Sequence, residues 1–313
     1  MIMITHGNKQ ISEIVYARKH SDGGGAVRLT NIIRGAQVVF GRLGPSFGWL
    51  KDTTTVAILA AFGQTDGKAV IKATNAYLNA LAETDQNKAA TLAGFINEDP
   101  MLVCSFVETG KTRFIVGDGV YSYIDSGVDL YYTNKYTISI DIIKSLNASA
   151  VICGVYQHIG DDISSLRIDE FADGIKVLAR SPQSYITINS MSNGSQYSIL
   201  VDTSSGIYID GNNVYANKLS INYANGIDFY AYGSRWINQG ASFRSSNSKL
   251  VKFIMYENDI MLREMYPFIR NGENGMLDTI TGTFYPNVNT SGSVTIGYTL
   301  PDGTPWAPLN QTK

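Results

Sequence analysis

Alternation with period two, in short runs divided by turn residues, is what most constrains this chain. Tyr136-Thr137-Ile138-Ser139-Ile140-Asp141-Ile142 puts apolar and polar residues on opposite sides of an extended backbone, as in a strand with one face in a core. The alternation returns at Ile186/Ile188, Ile199/Val201, Ile207/Ile209, Leu219/Ile221/Tyr223, Ile227/Phe229, Val251/Phe253/Met255 and Met261/Arg263/Met265. Between these runs lie Ser192-Asn193-Gly194, Asp210-Gly211-Asn212, Asn225-Gly226 and Glu257-Asn258-Asp259, residues that enter turns at little cost. About ten strands at short, regular spacing predict an all-β sandwich or jelly roll.

Hydrophobic residues make up 44% of the 313 and charged residues only 17%. Such a chain buries a sizeable core under a polar, largely uncharged surface. The net charge of −2 offers no basic excess to neutralise phosphates, so nucleic acid is not an expected partner. The longest apolar run, Val56 to Phe62, is about a third of the roughly 20 residues a membrane span needs. Met1 to Gly7 lacks the basic and apolar segments of a signal peptide. A soluble chain without an export signal is therefore expected. Cys104 and Cys153, each among apolar residues, read as two reduced, buried thiols, with a disulfide left open.

Upstream of the strands the pattern changes. Residues 1–50 hold the β-prone runs Ile11–Tyr16, Val27–Ile33 and Ala36–Phe40, with the loop Ser21–Gly25 between the first two. So short a segment buries too little surface to stand alone. It reads as a small β anchor that pairs with another chain, with Ile14, Tyr16, Val38 and Phe40 as candidate anchor residues. Residues 51–112 read as a helical neck. A helix over Lys68–Ala82 places Val70, Ala73, Tyr77 and Leu81 near helical spacing. Thr84 or Asp85 then caps a second helix carrying Ala89, Leu92, Phe95 and Ile96, which ends before Pro100. The apolar stripes suit either a helical hairpin or a contact between copies. Residues 113–298 make the sandwich, and 299–313, with Pro301, Pro305 and Pro308, an extended arm.

Two stretches of the closing block carry a resemblance. Lys252 to Phe268 reads K-F-I-M-Y-E-N-D-I-M-L-R-E-M-Y-P-F, and Gly275 to Asn287 reads G-M-L-D-T-I-T-G-T-F-Y-P-N. Together they resemble the last strands of laminin-G-like, concanavalin-A-like sandwiches in bacteriophage structural proteins. Tyr123-Ile124-Asp125-Ser126-Gly127 is similar to the opening of such domains. The N-terminal runs Ile11–Tyr16 and Ile32–Phe40 resemble the start of phage appendage proteins, departing at Ala17-Arg18 and at Phe40, where tryptophan is common. The resemblance implies a mainly β chain: a concanavalin-A-like jelly-roll sandwich preceded by a small β anchor and a short helical neck.

Chemistry-bearing motifs are few. Sandwiches of this kind include glycan hydrolases with an E-x-D-x-E strand, whose carboxylates flank the scissile bond. Here Glu257-x-Asp259 is followed by Met261 and falls at a turn, which argues against hydrolysis. His6, His20 and His158 have no partner at metal-ligand spacing, and there is no G-x-S-x-G elbow or P-loop. Tyr208, Tyr230, Tyr232 and Trp236 are candidates for stacking on sugar faces if their side chains are exposed. Asp161 and Asp162, with Asp169, Asp210 and Asn212, are candidate calcium ligands without a complete ligand spacing.

The function expected from this reading is that of a non-enzymatic phage virion structural protein, a head or tail fibre or decoration subunit. Its N-terminal segment would bind other virion proteins of capsid or tail, and a homotrimer is expected. The alternative is a receptor-binding adhesin for host-surface glycans, and the less favoured one a glycan-cleaving enzyme.

Overall fold

The computed structural model describes residues 49–309 except 132, 146–149, 160–161, 179–184, 220–225, 238–242 and 245–246. The anchor residues Ile14, Tyr16, Val38 and Phe40, like Asp161, His6 and His20, lie outside the described residues. The chain divides into two compact units, one holding the described residues 49–103 and 308–309, the other Cys104–Ala307.

Among its described residues the first unit has three α-helices where the sequence predicts two: α1 (Asp52–Phe62), α2 (Gln64–Thr84) and α3 (Gln86–Glu98). In α1, Thr54, Thr55, Ile58, Leu59, Ala61 and Phe62 are buried. A segment apolar almost all round shows no amphipathic period, so periodicity passes over it. Lys51 at its N-cap makes no side-chain cap bond. Asn97 does this work from α3: its Oδ1 accepts from Lys51 N at 2.7 Å and from Thr54 Oγ1 at 2.8 Å, and its Nδ2 donates to Trp49 O.

The buried face of α2 is Gly67, Val70, Ile71, Thr74, Asn75 and Leu78. Of the predicted stripe only Val70 lies on it, for Tyr77 is exposed and Ala73 and Leu81 are half-buried. Close approach decides the orientation: a Cβ on Gly67 would lie 2.9 Å from Leu59 Cα. Asp85 caps α3 as expected, accepting from Lys88 N at 2.9 Å. Gly94 in α3 is exposed and faces open space. Gly94→Ala should therefore stabilise this unit by about 0.5–1 kcal/mol, through lower unfolded-chain entropy. A fall in its thermal midpoint would contradict that.

The second unit is a mainly β sandwich, as the alternation predicts. Its larger sheet has eleven strands among the described residues: β1 (Thr112–Gly117), β3 (Tyr136–Ile143), β8 (Gln196–Asp202), β9 (Gly206–Ile209), β10 (Asn212–Tyr215), β14 (Lys249–Glu257), β15 (Ile260–Arg270), β16 (Glu273–Asp278), β17 (Phe284–Pro286), β18 (Val294–Thr299) and β19 (Pro305–Trp306). The smaller has eight: β2 (Ile124–Leu130), β4 (Ala150–Ile159), β5 (Asp162–Phe171), β6 (Gly174–Leu178), β7 (Tyr185–Asn189), β11 (Ile227–Tyr232), β12 (Ser234–Ile237) and β13 (Phe243–Arg244). Described ladders are antiparallel apart from β12 on β4.

One face of each sheet closes the core. Ile138, Ile140, Ile142, Ile199, Val201, Phe253 and Met255 of the larger meet Ile152, Val155, Leu166, Ile168, Ile175, Val177 and Phe229 of the smaller. Phe229 and Phe253 sit with ring centroids 6.0 Å apart. Cys153 is buried in this core, and burial pushes its thiol far above the usual range. Cys104, in a 3₁₀ turn (Pro100–Ser105), is only half-buried. Both are free thiols.

Register and sheet order set several local features. Ser192-Asn193-Gly194 forms the expected turn, Ser195 N donating to Ser192 O, and it carries the chain between sheets, since β7 pairs with β6 in the smaller sheet and β8 with β3 and β9 in the larger. Met265 faces Phe253, and Met255 faces Arg263, beside a bulge between Met255 and Tyr256. Pro267 neither ends its strand nor breaks a ladder. It pairs with Met276 on β16 at a level the β14 ladder does not reach, so its missing N–H costs nothing there. The segment after Tyr298 folds back as β19, Tyr298 against Trp306, instead of running on as an arm.

Candidate functional site

The outer face of the larger sheet carries an open cleft of about 570 Å³, lined by Thr137, Ser139, Ser198, Leu200, Asp202, Ser205, Tyr208, Gly211, Tyr256 and Asp259. The same alternation that builds the core delivers these residues. Each lining side chain on a strand is the odd partner of a buried neighbour: Thr137 and Ser139 beside Ile138, Leu200 beside Ile199 and Val201, Tyr256 beside Met255. Register then sets them in rows across the strands. Tyr256, Thr137 and Asp202 form one row, and Ile254, Ser139, Leu200 and Tyr208 the next.

Turns form the rim. Asp202 makes a local side-chain turn, its Oδ1 accepting from Ser204 N and Ser204 Oγ, both at 2.7 Å, and from Ser205 N at 3.2 Å. Tyr208 donates its hydroxyl to Ser205 Oγ at 3.3 Å. Asp210 and Gly211 take φ of 49° and 78° between β9 and β10, and Asn258 and Asp259 take 49° and 66° between β14 and β15. Both are hairpin turns that Asp, Asn and Gly favour.

Lys135, just before β3, ties the rim together. Its Nζ lies 2.7 Å from Asp259 Oδ1 and 3.5 Å from Asp202 Oδ2. The bond to Asp259 raises the lysine pKa. Partial burial pushes the Asp202 carboxyl up, but Ser204 and Ser205 donors and the Lys135 charge outweigh it and hold Asp202 below its usual range. Behind the rim, Tyr136 donates its hydroxyl to Glu257 Oε1 at 2.8 Å, and Asn134 donates to the same oxygen at 2.7 Å. Burial pushes the Tyr136 phenol up to about 12.

Of the four candidate stacking residues, Tyr208 alone lines the cleft. Tyr230 and Tyr232 are core residues, 2% and 0% exposed. Strict alternation would put them outside with Asp228, but β11 shifts register at Phe229/Tyr230 and again at Tyr230/Tyr232. Tyr230 packs edge-on to Tyr123 at 5.2 Å, and the Tyr232 hydroxyl accepts from Gly117 N and donates to Ser248 O. Trp236 belongs to β12, and its side chain lies outside the described residues.

The candidate calcium ligands do not converge. Asp169 is buried on the smaller sheet with Arg167 at 2.9 Å. Asp210 accepts from Ser198 N on the larger sheet, and Asn212 donates to Asp210 O across its turn. The side chain of Asp162 lies outside the described residues. Among the described residues no group of three or more His, Cys, Asp or Glu could hold a metal ion.

Tyr256, Asp202, Lys135 and Ser205 are site residues that sequence reasoning missed. Tyr256 had a signal, since it lies out of phase with Phe253 and Met255. The others come from separate turns, and only the pairing of β3 with β8 and β14 brings them together. Chemically the cleft offers two half-buried aromatic rings, the hydroxyls of Thr137, Ser139, Ser198 and Ser205, and the carboxylates of Asp202 and Asp259.

No protein-family model and no curated protein matches the chain. Among solved structures it is similar to a Bacteroides ovatus protein provisionally described as carbohydrate-binding, with 13% identity, a TM-score of 0.41 and coverage of 64% of this chain and 62% of that one. It is also similar to a Trypanosoma rangeli sialidase mutant displaying trans-sialidase activity, with 16% identity, a TM-score of 0.32 and coverage of 39% and 20%. The chain thus spans less than two thirds of either structure. At such scores these likenesses carry no argument about ligand or reaction. What stands on the strands and their register is a mainly β sandwich with an open polar and aromatic cleft on its larger sheet.

Proposed function

We propose that this protein is a non-enzymatic carbohydrate-binding module whose site is the cleft between Tyr208 and Tyr256. One observation carries the reading: two tyrosine rings and a set of hydroxyl and carboxylate groups share one open, solvent-facing cleft. A sugar ring has an apolar C–H face that packs on an aromatic ring and an edge of hydroxyls that need partners. A cleft with both kinds of group fits it. Carboxylates held by Lys135 suit binding better than bond cleavage.

The setting in which such a module works is, on the resemblance of the closing block and the N-terminal runs, a phage virion appendage attached through residues 1–50. The cleft favours the receptor-binding form of that role over a purely structural one.

Glycan-array binding of the full chain tests the reading. Tyr256→Ala and Tyr208→Ala should each weaken binding by about 1–2 kcal/mol, roughly tenfold, while thermal stability holds. Silence of the unaltered chain across the array, or binding indifferent to both substitutions, would overturn it.

A further inference from the structure

We infer that the cleft admits uncharged or amino-bearing sugars and rejects carboxylated or sulfated ones, with Asp259 as the residue that sets this preference. The inference rests on the carbohydrate reading and adds the ligand class. Two carboxylates, Asp202 and Asp259, line the cleft, and the lysine at its rim, Lys135, is bound to both. Asp210 adds a third carboxylate at the turn holding Gly211, where it accepts from Ser198 N. Glu257 stands behind the rim with the Tyr136 hydroxyl.

The cations nearest this face, Lys135 and Lys252, are already engaged. Lys135 is held by Asp259 at 2.7 Å and Asp202 at 3.5 Å, and Lys252 lies 3.5 Å from Glu264 and over the Tyr266 ring. An anionic sugar would have to sit beside these carboxylates or pull Lys135 from Asp259. A neutral sugar hydroxyl donates to the same carboxylates and gains a charge-assisted bond. An ammonium group gains more.

Asp259 is the residue to change. It occupies a hairpin turn with φ of 66° and a side chain 75% exposed, and asparagine accepts that backbone conformation readily. Asp259→Asn removes one charge and loosens Lys135 while keeping the turn.

The test compares matched glycans on one backbone: a neutral oligosaccharide, its sialylated or uronic counterpart, and its free-amine counterpart. With the unaltered chain, the acidic member should bind at least about threefold more weakly than the neutral one, the size of one unit charge across an aqueous cleft. Asp259→Asn should recover about that factor at low salt, and the gain should shrink as salt screens it. Acidic glycans that bind as well as neutral ones, through Tyr256, would overturn the preference and leave the carbohydrate reading intact. An Asp259→Asn protein with unchanged acidic binding would remove Asp259 from the role. If no glycan binds, or binding ignores Tyr208 and Tyr256, both the reading and this inference fall.

Discussion

Asp278→Ala should lower the melting temperature of the β-sandwich unit by roughly 10 °C, while leaving glycan preference unchanged below the transition. Asp278 is wholly buried at the end of β16. Its Oδ1 accepts from Glu264 N at 3.0 Å and Ile280 N at 3.1 Å, and its Oδ2 accepts from the Thr281 hydroxyl at 2.7 Å. Arg263 Nε lies 3.8 Å from that second oxygen. Alanine would strand the Glu264 donor and leave the more exposed Ile280 and Thr281 donors to water, at about 1–3 kcal/mol for each that stays unsatisfied. Local relaxation rescues part of this, so the net cost is about 3–4 kcal/mol, and each kcal/mol moves the midpoint by about 2–4 °C in a unit of this size. Asp278→Asn keeps one acceptor oxygen and should cost about half as much. A shift under about 3 °C for the alanine variant would show that the turn does not depend on this carboxylate.

That turn explains why the closing block is so readable. Glu264 accepts from Thr279 through both its backbone carbonyl and its carboxylate, and Tyr266 donates to the same carboxylate at 2.9 Å. Asp278, Thr279 and Thr281 thereby strap the turn onto β15. Their residue types are demanded by donors and acceptors that the turn must satisfy around the buried Asp278 carboxylate. They mark a fold, and a ligand preference need not travel with them.

The same distinction separates what the sequence reveals from what it hides. Alternation around Ile138 and Ile140 predicts both the core face of β3 and, by default, its polar face, so half of the cleft is legible in the residue pattern alone. The Asn258-Asp259 and Asp210-Gly211 turns are legible too, because a positive φ restricts the residue types that fill them. Register is not legible. Lys135, Asp202 and Asp259 are far apart in sequence and meet only because Tyr136 pairs with Glu257 and Thr137 with Asp202. Tyr230 and Tyr232 fail for the complementary reason. Two register shifts in one short ladder put side chains of opposite phase into the interior, and no periodic pattern announces such a shift.

Gly154→Ala should be among the most damaging single-methyl changes in the sandwich, with a loss of about 3–5 kcal/mol and most of the soluble yield. Gly154 lies in mid-β4, paired with Arg167 of β5 on one side and Tyr230 of β11 on the other. A Cβ there would sit 2.4 Å from Arg167 Cα and 2.5 Å from Leu166 O. Those are backbone atoms of a central ladder, so no rotamer change can make room. The backbone adds its own penalty, because φ is +130°, a region that side chains other than hydrogen rarely enter. Moving β5 away would also disturb the buried Arg167–Asp169 pair at 2.9 Å, whose charges depend on each other once out of water. Gly194→Ala separates the two causes: its φ of +82° is also positive, but nothing lies within 4 Å of the added methyl. That control should lose only about 1 kcal/mol. Equal losses for the two variants, read from thermal or denaturant midpoints, would mean that conformation alone sets the cost. A much larger loss at Gly154 would instead show that β4 and β5 approach too closely for any side chain, the contact on which the smaller sheet, and with it the support beneath the cleft-bearing sheet, depends.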